Sequence, residues 1–263
     1  MPVKDFRKAE SRDDLRPIYQ VEQKKWNAVA HDKMAGTQNI EPDFHTYARK
    51  STTLPGISEF LGDLTGKRVL EVGCGLGRST SMLAKSGAEV FAFDISSVSV
   101  CATGKRAENN GVDDRVRLFV AAGEEIPLKD GSFDVIFGKG VLHHINARMG
   151  APELHRLLKP GGKAAFSEPL GMNPVLDFVR DYVPYPHKTP RGADIPLTYK
   201  DINDWGKPFS RIECCELQFL SMIERGFGFG KRVMWLRRLD NFLLARIPFL
   251  RRFCRYAVIM MEK

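Results

Sequence analysis

Three glycines at alternate positions, Gly73, Gly75 and Gly77, directly follow a run of apolar residues. A glycine turn after a strand lets backbone amides approach a ligand closely, and the helix start beyond it adds partial positive charge. Asp94 lies 19 residues after Gly75 and ends the next apolar run. A carboxylate at the tip of a neighbouring strand can accept both hydroxyl protons of a ribose. The spacing therefore predicts a site for a nucleoside with a free 2′-hydroxyl group.

Two further residues restrict the kind of nucleoside. A dinucleotide fingerprint that starts at Gly73 needs a third glycine at position 78, where this chain has Arg78. Glu71, inside the apolar run, suits a cationic amino-acid group better than a pyrophosphate. These residues favour a ligand with a ribose, no phosphates and a positive end, and they disfavour a nicotinamide cofactor.

The elements that must position these residues alternate between short apolar runs and helical stretches, which is typical of a parallel sheet covered on both faces. A helix around Pro152–Leu158 is expected to stop at the turn Lys159–Gly162. Residues 1–64 read as an N-terminal helical cap. The remaining core, 65–263, carries lid insertions at about 168–208 and 219–250. The predicted strands are Arg68–Val72, Glu89–Phe93, Val116–Ala121, Phe133–Phe137, Lys163–Ser167, Ile212–Leu217 and Tyr256–Met261.

The segment from Lys67 to Glu168, about two-fifths of the chain, resembles the core of class I S-adenosylmethionine-dependent methyltransferases, in particular the small-molecule group. Five motifs occur in order: VLEVGCGLG, FAFDIS, EEIPLKDGSFDVIF, VLHHI and LLKPGGKAAFSEP. The resemblance implies a Rossmann-like three-layer α/β sandwich. Its sheet would have seven mostly parallel strands with an antiparallel last strand, beneath a helical cap.

The resemblance also implies S-adenosyl-L-methionine as the cofactor and S-adenosyl-L-homocysteine as the product, with no metal ion. Asp94 would bind the ribose, Ile95 would lie against the adenine, and the turn Ala122–Glu124 would edge the adenine ring. Many relatives have an aspartate where Ala122 stands, so Glu124 or a backbone carbonyl would have to replace it. The cofactor-binding residues implied are Glu71, Gly73, Cys74, Gly75, Gly77, Asp94, Ile95, Ala122, Gly123, Glu124 and Lys139.

Methyl transfer needs mainly alignment of two reactants and exclusion of water, and a general base only where the acceptor must lose a proton. His143 and His144 follow the fourth strand and are the candidate bases, although either can instead pack or orient the cofactor loop. Glu168 is a candidate for contact with the acceptor or for capping a turn. The candidate acceptor residues are Glu168, Tyr182, Tyr185 and His187.

Charge is concentrated at the C-terminus. Residues 225–263 hold ten Lys or Arg and two acids, a balance of +8 that equals the net charge of the whole chain. Within 233–256, apolar residues recur with helical spacing between arginines, an amphipathic pattern. Three interpretations stay open: an apolar face packed on the protein, peripheral association with an anionic membrane, and, least favoured, nucleic-acid binding.

The sequence thus predicts S-adenosylmethionine-dependent methyl transfer to a small hydrophobic or amphiphilic acceptor. The alternative is a non-catalytic protein of the same fold that binds a partner or an anionic membrane through its basic segment. Five cysteines without metal-site spacing and a polar N-terminus predict a cytoplasmic protein, with a peripheral membrane location left open.

Overall fold

A single mixed sheet organises the molecule. The computed structural model describes residues 6–33, 38–183, 195–223 and 234–263. Its strands follow the order β3-β2-β1-β4-β5-β7-β6, in which β1 to β5 run parallel and β7 runs antiparallel to both β5 and β6. This confirms the predicted sheet. The strands are β1 Arg68–Val72, β2 Glu89–Asp94, β3 Val116–Val120, β4 Phe133–Lys139, β5 Leu158–Pro169, β6 Arg211–Leu217 and β7 Tyr256–Glu262.

Helices cover both faces of this sheet. One apolar cluster joins the sheet to α6 and α8, and a second joins the opposite face to α2, α3 and α4. The helices are α1 Arg12–Lys33, α2 Phe44–Lys50, α3 Ile57–Leu61, α4 Arg78–Lys85, α5 Ser97–Asn109, α6 Ala147–Leu157, α7 Pro174–Tyr182, α8 Tyr199–Gly206 and α9 Met234–Arg246. Among the described residues, none of the helices has the length and hydropathy that a bilayer span requires.

The N-terminal 64 residues pack in two different ways. Phe44, Ile57 and Leu61 are fully buried in the same apolar cluster as strands β1 and β2. Residues 44–64 therefore contribute to the core of the sheet. Helix α1, in contrast, contacts α5 and the loops at the carboxyl ends of the strands.

The predicted turn Lys159–Gly162 is part of an irregular strand. β5 begins at Leu158, which pairs with Phe133, and regular pairing resumes at Lys163 opposite Val135. The four intervening residues bulge opposite Asp134, whose carboxylate accepts from Lys159 Nζ at 2.7 Å. The glycines allow the chain to bulge, and the pairing on either side keeps it in the sheet. The helix ends where the sequence predicts, but the strand begins earlier than expected.

Candidate cofactor and active site

The glycine bend connects β1 to α4, and the surroundings of its three glycines differ. Gly73, Gly75 and Gly77 have φ angles of 70°, 53° and 75°, in the left-handed region that L side chains avoid. A Cβ atom at Gly73 would lie 2.6 Å from Val141 Cγ2, and one at Gly77 would lie 2.7 Å from Thr103 Cα. A Cβ at Gly75 would meet no atom within 4 Å. Packing thus requires the outer two glycines, whereas the side of Gly75 is open to a ligand.

Asp94 points at the bend from the adjoining strand. Its Oδ2 accepts a hydrogen bond from the Gly75 N–H at 3.0 Å, and its Oδ1 accepts from the Ser96 N–H at 2.9 Å. Burial raises the pKa of this carboxyl group above its usual range. The parallel pairing of β1 with β2 brings the two residues together, because it aligns the carboxyl ends of both strands.

Glu71 lies beneath the bend and is only 3% exposed. The hydroxyl of Thr80 donates a hydrogen bond to its Oε2. Burial raises the pKa of Glu71 to about 8, and the nearby Asp94 adds to the shift. A cation that approached this carboxyl group would favour loss of its proton.

Cys74 is a buried residue of the bend. Its thiol accepts a hydrogen bond from Thr103 Oγ1 at 3.3 Å, and burial raises the pKa of the thiol well above its ordinary value. A thiol in this environment is a poor nucleophile and serves as a small packing group.

The turn after β3 is fixed from inside the protein. Glu124 Oε1 accepts from the Asn146 N–H at 2.8 Å, and Glu124 Oε2 accepts from the Tyr19 hydroxyl at 3.1 Å. A Cβ atom at Gly123 would lie 2.3 Å from Ile145, so the turn packs tightly on the loop after β4. The carbonyl of Ala122 accepts from the Glu125 N–H. Glu124 therefore braces α1 against two loops, and the adenine contact expected of it stays a prediction.

Glu168 joins the end of β5 to the turn after β4. Its Oε1 accepts from the backbone N–H groups of Val141 and Leu142 at 2.8 and 3.0 Å. Its Oε2 lies 2.7 Å from His143 Nδ1. The carboxyl group is fully buried and His143 is 5% exposed. Glu168 thus holds the turn and orients one of the two candidate histidines.

His144 faces helix α1. Its ring centroid lies 4.0 Å from that of His143 and 5.2 Å from that of Trp26, which meets it edge to face. The indole Nε1 of Trp26 donates to Glu22 Oε2 at 2.9 Å. Trp26 could not be predicted as a neighbour of the histidines, because no sequence motif links α1 to the loop after β4.

Helix α1 also contacts the loop after β2, where adenine is expected. Gln23 Nε2 donates to the carbonyl of Ile95 at 2.9 Å, and Asn27 Oδ1 accepts from Ser96 Oγ at 2.6 Å. With Tyr19 on Glu124 and Trp26 on His144, α1 touches the loops after three successive strands. It therefore lies across the carboxyl edge of the sheet.

Two cations flank one tyrosine beside the bend. The guanidinium of Arg78 lies 4.7 Å from the Tyr47 ring centroid, and Lys139 Nζ lies 5.8 Å from it. Arg78 also pairs with Glu41 at 3.1 Å. Lys139 thus lies at the carboxyl end of β4, as the sequence predicts, and Tyr47 is a neighbour of this lysine that sequence reasoning missed.

Of the remaining acceptor candidates, the structure describes Tyr182. Tyr182 is 61% exposed on α7, where its ring lies 5.0 Å from that of Phe178. Tyr185 and His187 lie outside the described residues. A cavity of about 650 Å³ lies between α6 and α8, lined by Asn146 and Trp205 among others, and its lining does not include the glycine bend.

Comparison with known proteins shows similarity to methyltransferases. Residues 70–166 match the family model described as a methyltransferase domain. A demethylmenaquinone methyltransferase of Clavibacter sepedonicus is 37% identical over 106 residues, which are 40% of this chain and 42% of that protein. A ubiquinone biosynthesis O-methyltransferase of Bordetella avium is 30% identical over 60% of this chain and 64% of its own length. Residues 70–166 are thus similar to a methyltransferase domain, and the chain covers less than two thirds of the length of these relatives.

Solved structures extend the likeness of fold over most of the chain. The [4+2]-cyclase SpnF superposes with a TM-score of 0.58 and 16% identity over 94% of both chains. A Haemonchus contortus phosphoethanolamine N-methyltransferase 2, solved with S-adenosyl-L-methionine, superposes with a TM-score of 0.57 and 19% identity over 89% of this chain and 56% of that one. At such identities the structures show the fold alone.

Proposed function

We propose that this protein transfers the methyl group of S-adenosyl-L-methionine to a small hydrophobic or amphiphilic acceptor. The observation that carries the proposal is the 3.0 Å hydrogen bond from the Gly75 N–H to Asp94 Oδ2. This contact holds the Asp94 carboxylate beside a bend whose central glycine leaves room for a ligand. The arrangement supports a nucleoside site in which this carboxylate accepts from the ribose hydroxyls.

The residues of the site suit this cofactor group by group. Asp94 would hold the ribose hydroxyls, and the bend with Glu71 would hold the cationic methionine part, with Lys139 close by. Bound there, S-adenosyl-L-methionine supplies a methyl carbon that its positive sulfur has already activated. The protein's own task is then to orient the acceptor and to exclude water.

His143 is the proposed base for an acceptor that must lose a proton. Glu168 Oε2 lies beside Nδ1 and orients the imidazole, as a carboxylate does in other acid–base sites. The edge-to-face contact between His144 and Trp26 would help to exclude water from the region around His143. Several relatives are named for demethylmenaquinone, ubiquinone biosynthesis or rifamycin, which supports an acceptor with a large apolar part.

Isothermal titration with S-adenosyl-L-homocysteine tests the cofactor assignment. The unmodified protein is expected to bind, and Asp94→Ala should weaken binding by roughly 10–100-fold, because a charged acceptor of two hydroxyl protons is lost. Asp63→Ala is the matched control, since Asp63 also accepts hydrogen bonds from a following turn but lies in an exposed loop. Failure of the unmodified protein to bind would remove the proposal.

A second candidate is a non-methylating protein of the same fold. This candidate is supported by the superposition of 94% of the chain on a protein described as a [4+2]-cyclase, because one fold can support unrelated reactions. Incubation with methyl-labelled cofactor and a lipid-soluble cell extract separates the two. Label in an extractable small molecule supports methyl transfer, whereas intact cofactor binding without any labelled product supports the second candidate.

A further inference from the structure

The C-terminal arm, residues 234–253, consists of α9 and the 3₁₀ turn Pro248–Phe253. Its inner face is formed by Leu236, Asp240 and Leu244, which follow one another at helical spacing and are at most 8% exposed. The carboxylate of Asp240 accepts from the N–H groups of Leu220 and Ser221 at 2.8 and 3.1 Å. The arm is therefore fastened to the protein by this face.

The outer face of the same arm carries large apolar side chains. Trp235, Phe242 and Phe249 are 61%, 56% and 63% exposed, and Ile247 is 46% exposed. Trp235 and Phe242 are seven residues apart, so they lie on one side of α9. Clustered exposed aromatics on one element are typical of a surface that meets a partner or a membrane.

Positive charge surrounds these aromatics. Residues 234–255 contain six arginines and a single acid, Asp240, which is buried on the inner face. The guanidinium of Arg246 lies 5.2 Å from the Phe242 ring, and that of Arg252 lies 5.3 Å from the Phe249 ring. The outer face therefore presents apolar rings and cations together.

Helix α7 begins next to the end of this arm and also exposes apolar side chains. Asn173 caps α7, and its Nδ2 donates to the carbonyl of Phe253 at 2.7 Å, which joins the start of the helix to the end of the arm. Val175, Phe178 and Tyr182 of α7 are each at least 60% exposed. Two neighbouring elements thus both turn aromatic side chains outward.

We propose that the C-terminal arm, together with α7, binds the surface of an anionic lipid membrane. Aromatic rings that stand beside arginines match the boundary between acyl chains and negative headgroups, where rings insert and guanidinium groups contact phosphate. Nucleic acid would satisfy the arginines but not the aliphatic side chains Ile247 and Val175. The proposal goes beyond methyl transfer and does not depend on it.

Sedimentation with phospholipid vesicles tests the proposal on the full chain. The protein should sediment with phosphatidylcholine vesicles that contain phosphatidylserine, and much less with phosphatidylcholine alone. Arg246→Glu/Arg252→Glu and Trp235→Ser/Phe249→Ser should each reduce the bound fraction by roughly tenfold or more. The charge control is Arg115→Glu/Lys129→Glu, an equal change in net charge at exposed positions outside the arm, and it should retain binding.

Thermal unfolding of the same variants shows whether they are folded, and titration with S-adenosyl-L-homocysteine tests cofactor binding separately. Vesicle binding that Trp235→Ser/Phe249→Ser leaves unchanged overturns the proposal, since charge alone would then explain it. Equal loss in the charge control overturns it as well. Binding of single-stranded RNA without binding to vesicles, or a dimer that buries Trp235, would identify a different occupant and also refute it.

Discussion

His143 Nδ1 lies 2.7 Å from Glu168 Oε2, and both side chains are almost completely buried. Strand β5 thereby controls the orientation of a side chain on the turn after β4. Because the other oxygen of Glu168 accepts from two backbone N–H groups of that turn, the imidazole and its supporting loop share one anchor.

Replacement of Glu168 by glutamine should lower kcat by roughly 10–100-fold without a comparable change in affinity for S-adenosyl-L-homocysteine. The glutamine retains an acceptor for the turn but loses the charge that stabilises a protonated imidazole. His143→Asn should have an equal or larger effect. In the double variant the second change should add little, because both residues act as a unit. Fully additive losses in kcat would show that the two residues do not cooperate.

Gly75→Ala and Gly77→Ala should differ in kind. Either alanine is forced into the left-handed region, at a cost of about 1–2 kcal/mol. At Gly77 the new Cβ would also press on the Thr103 backbone at 2.7 Å, so we expect a total loss of stability of about 3 kcal/mol or more.

At Gly75 the Cβ meets no protein atom within 4 Å but occupies the side proposed for the cofactor. Gly75→Ala should therefore weaken S-adenosyl-L-homocysteine binding by about tenfold or more. Its loss of folding stability should be close to the cost of the backbone strain alone. Thermal unfolding and titration calorimetry measure both effects. If Gly75→Ala bound normally, the bend would not face the ligand.

The strands were predictable within a few residues because each is a short apolar run bounded by turn residues. The site at the ends of β1 and β2 was predictable for a related reason, since parallel pairing must bring Gly75 and Asp94 together. The contacts of α1 could not be predicted from the sequence. Tyr19 bonds to a residue 105 positions away and Gln23 to one 72 positions away, and no local spacing encodes such pairs.

The C-terminal arm shows a second limit. Helical spacing in 233–256 identifies an amphipathic helix but does not say which apolar stripe faces inward. The structure buries Leu236 and Leu244 and exposes Trp235 and Phe242. The choice depends on Asp240, whose carboxylate bonds to backbone groups of residues 220 and 221, a long-range contact invisible in the pattern.

Removal of the hydrogen bonds that α1 makes to the loop after β2 should accelerate cofactor dissociation. Gln23 and Asn27 hold the loop that contains Ile95 and Ser96. Gln23→Ala/Asn27→Ala removes both hydrogen bonds, and at about 1 kcal/mol for each we expect dissociation of S-adenosyl-L-homocysteine to become roughly 5–30-fold faster in stopped-flow experiments. The control is Asp13→Ala/Arg16→Ala, which removes an exposed ion pair from the same helix. Unchanged dissociation in the first variant would mean that α1 does not retain the ligand.

Cofactor binding should release a proton from Glu71. Burial raises the pKa of this carboxyl group to about 8, so it is mostly protonated at pH 7 in the free protein. The cationic amino group of S-adenosyl-L-homocysteine would stabilise the carboxylate and lower that pKa, so binding expels the proton. Affinity should therefore rise between pH 6 and pH 8, by at most about tenfold per pH unit for one proton, and level off above pH 8.

Calorimetry at pH 7 in phosphate and in Tris measures this proton directly, because the two buffers differ in ionisation enthalpy and the apparent binding heats should differ accordingly. Glu71→Gln should abolish the difference between the two binding heats and flatten the dependence of affinity on pH. Asp94, whose pKa burial also raises, is retained in this variant, so the loss would assign the released proton to Glu71. Equal heats in the two buffers for the unmodified protein, with an affinity independent of pH, would show that the cation does not approach Glu71.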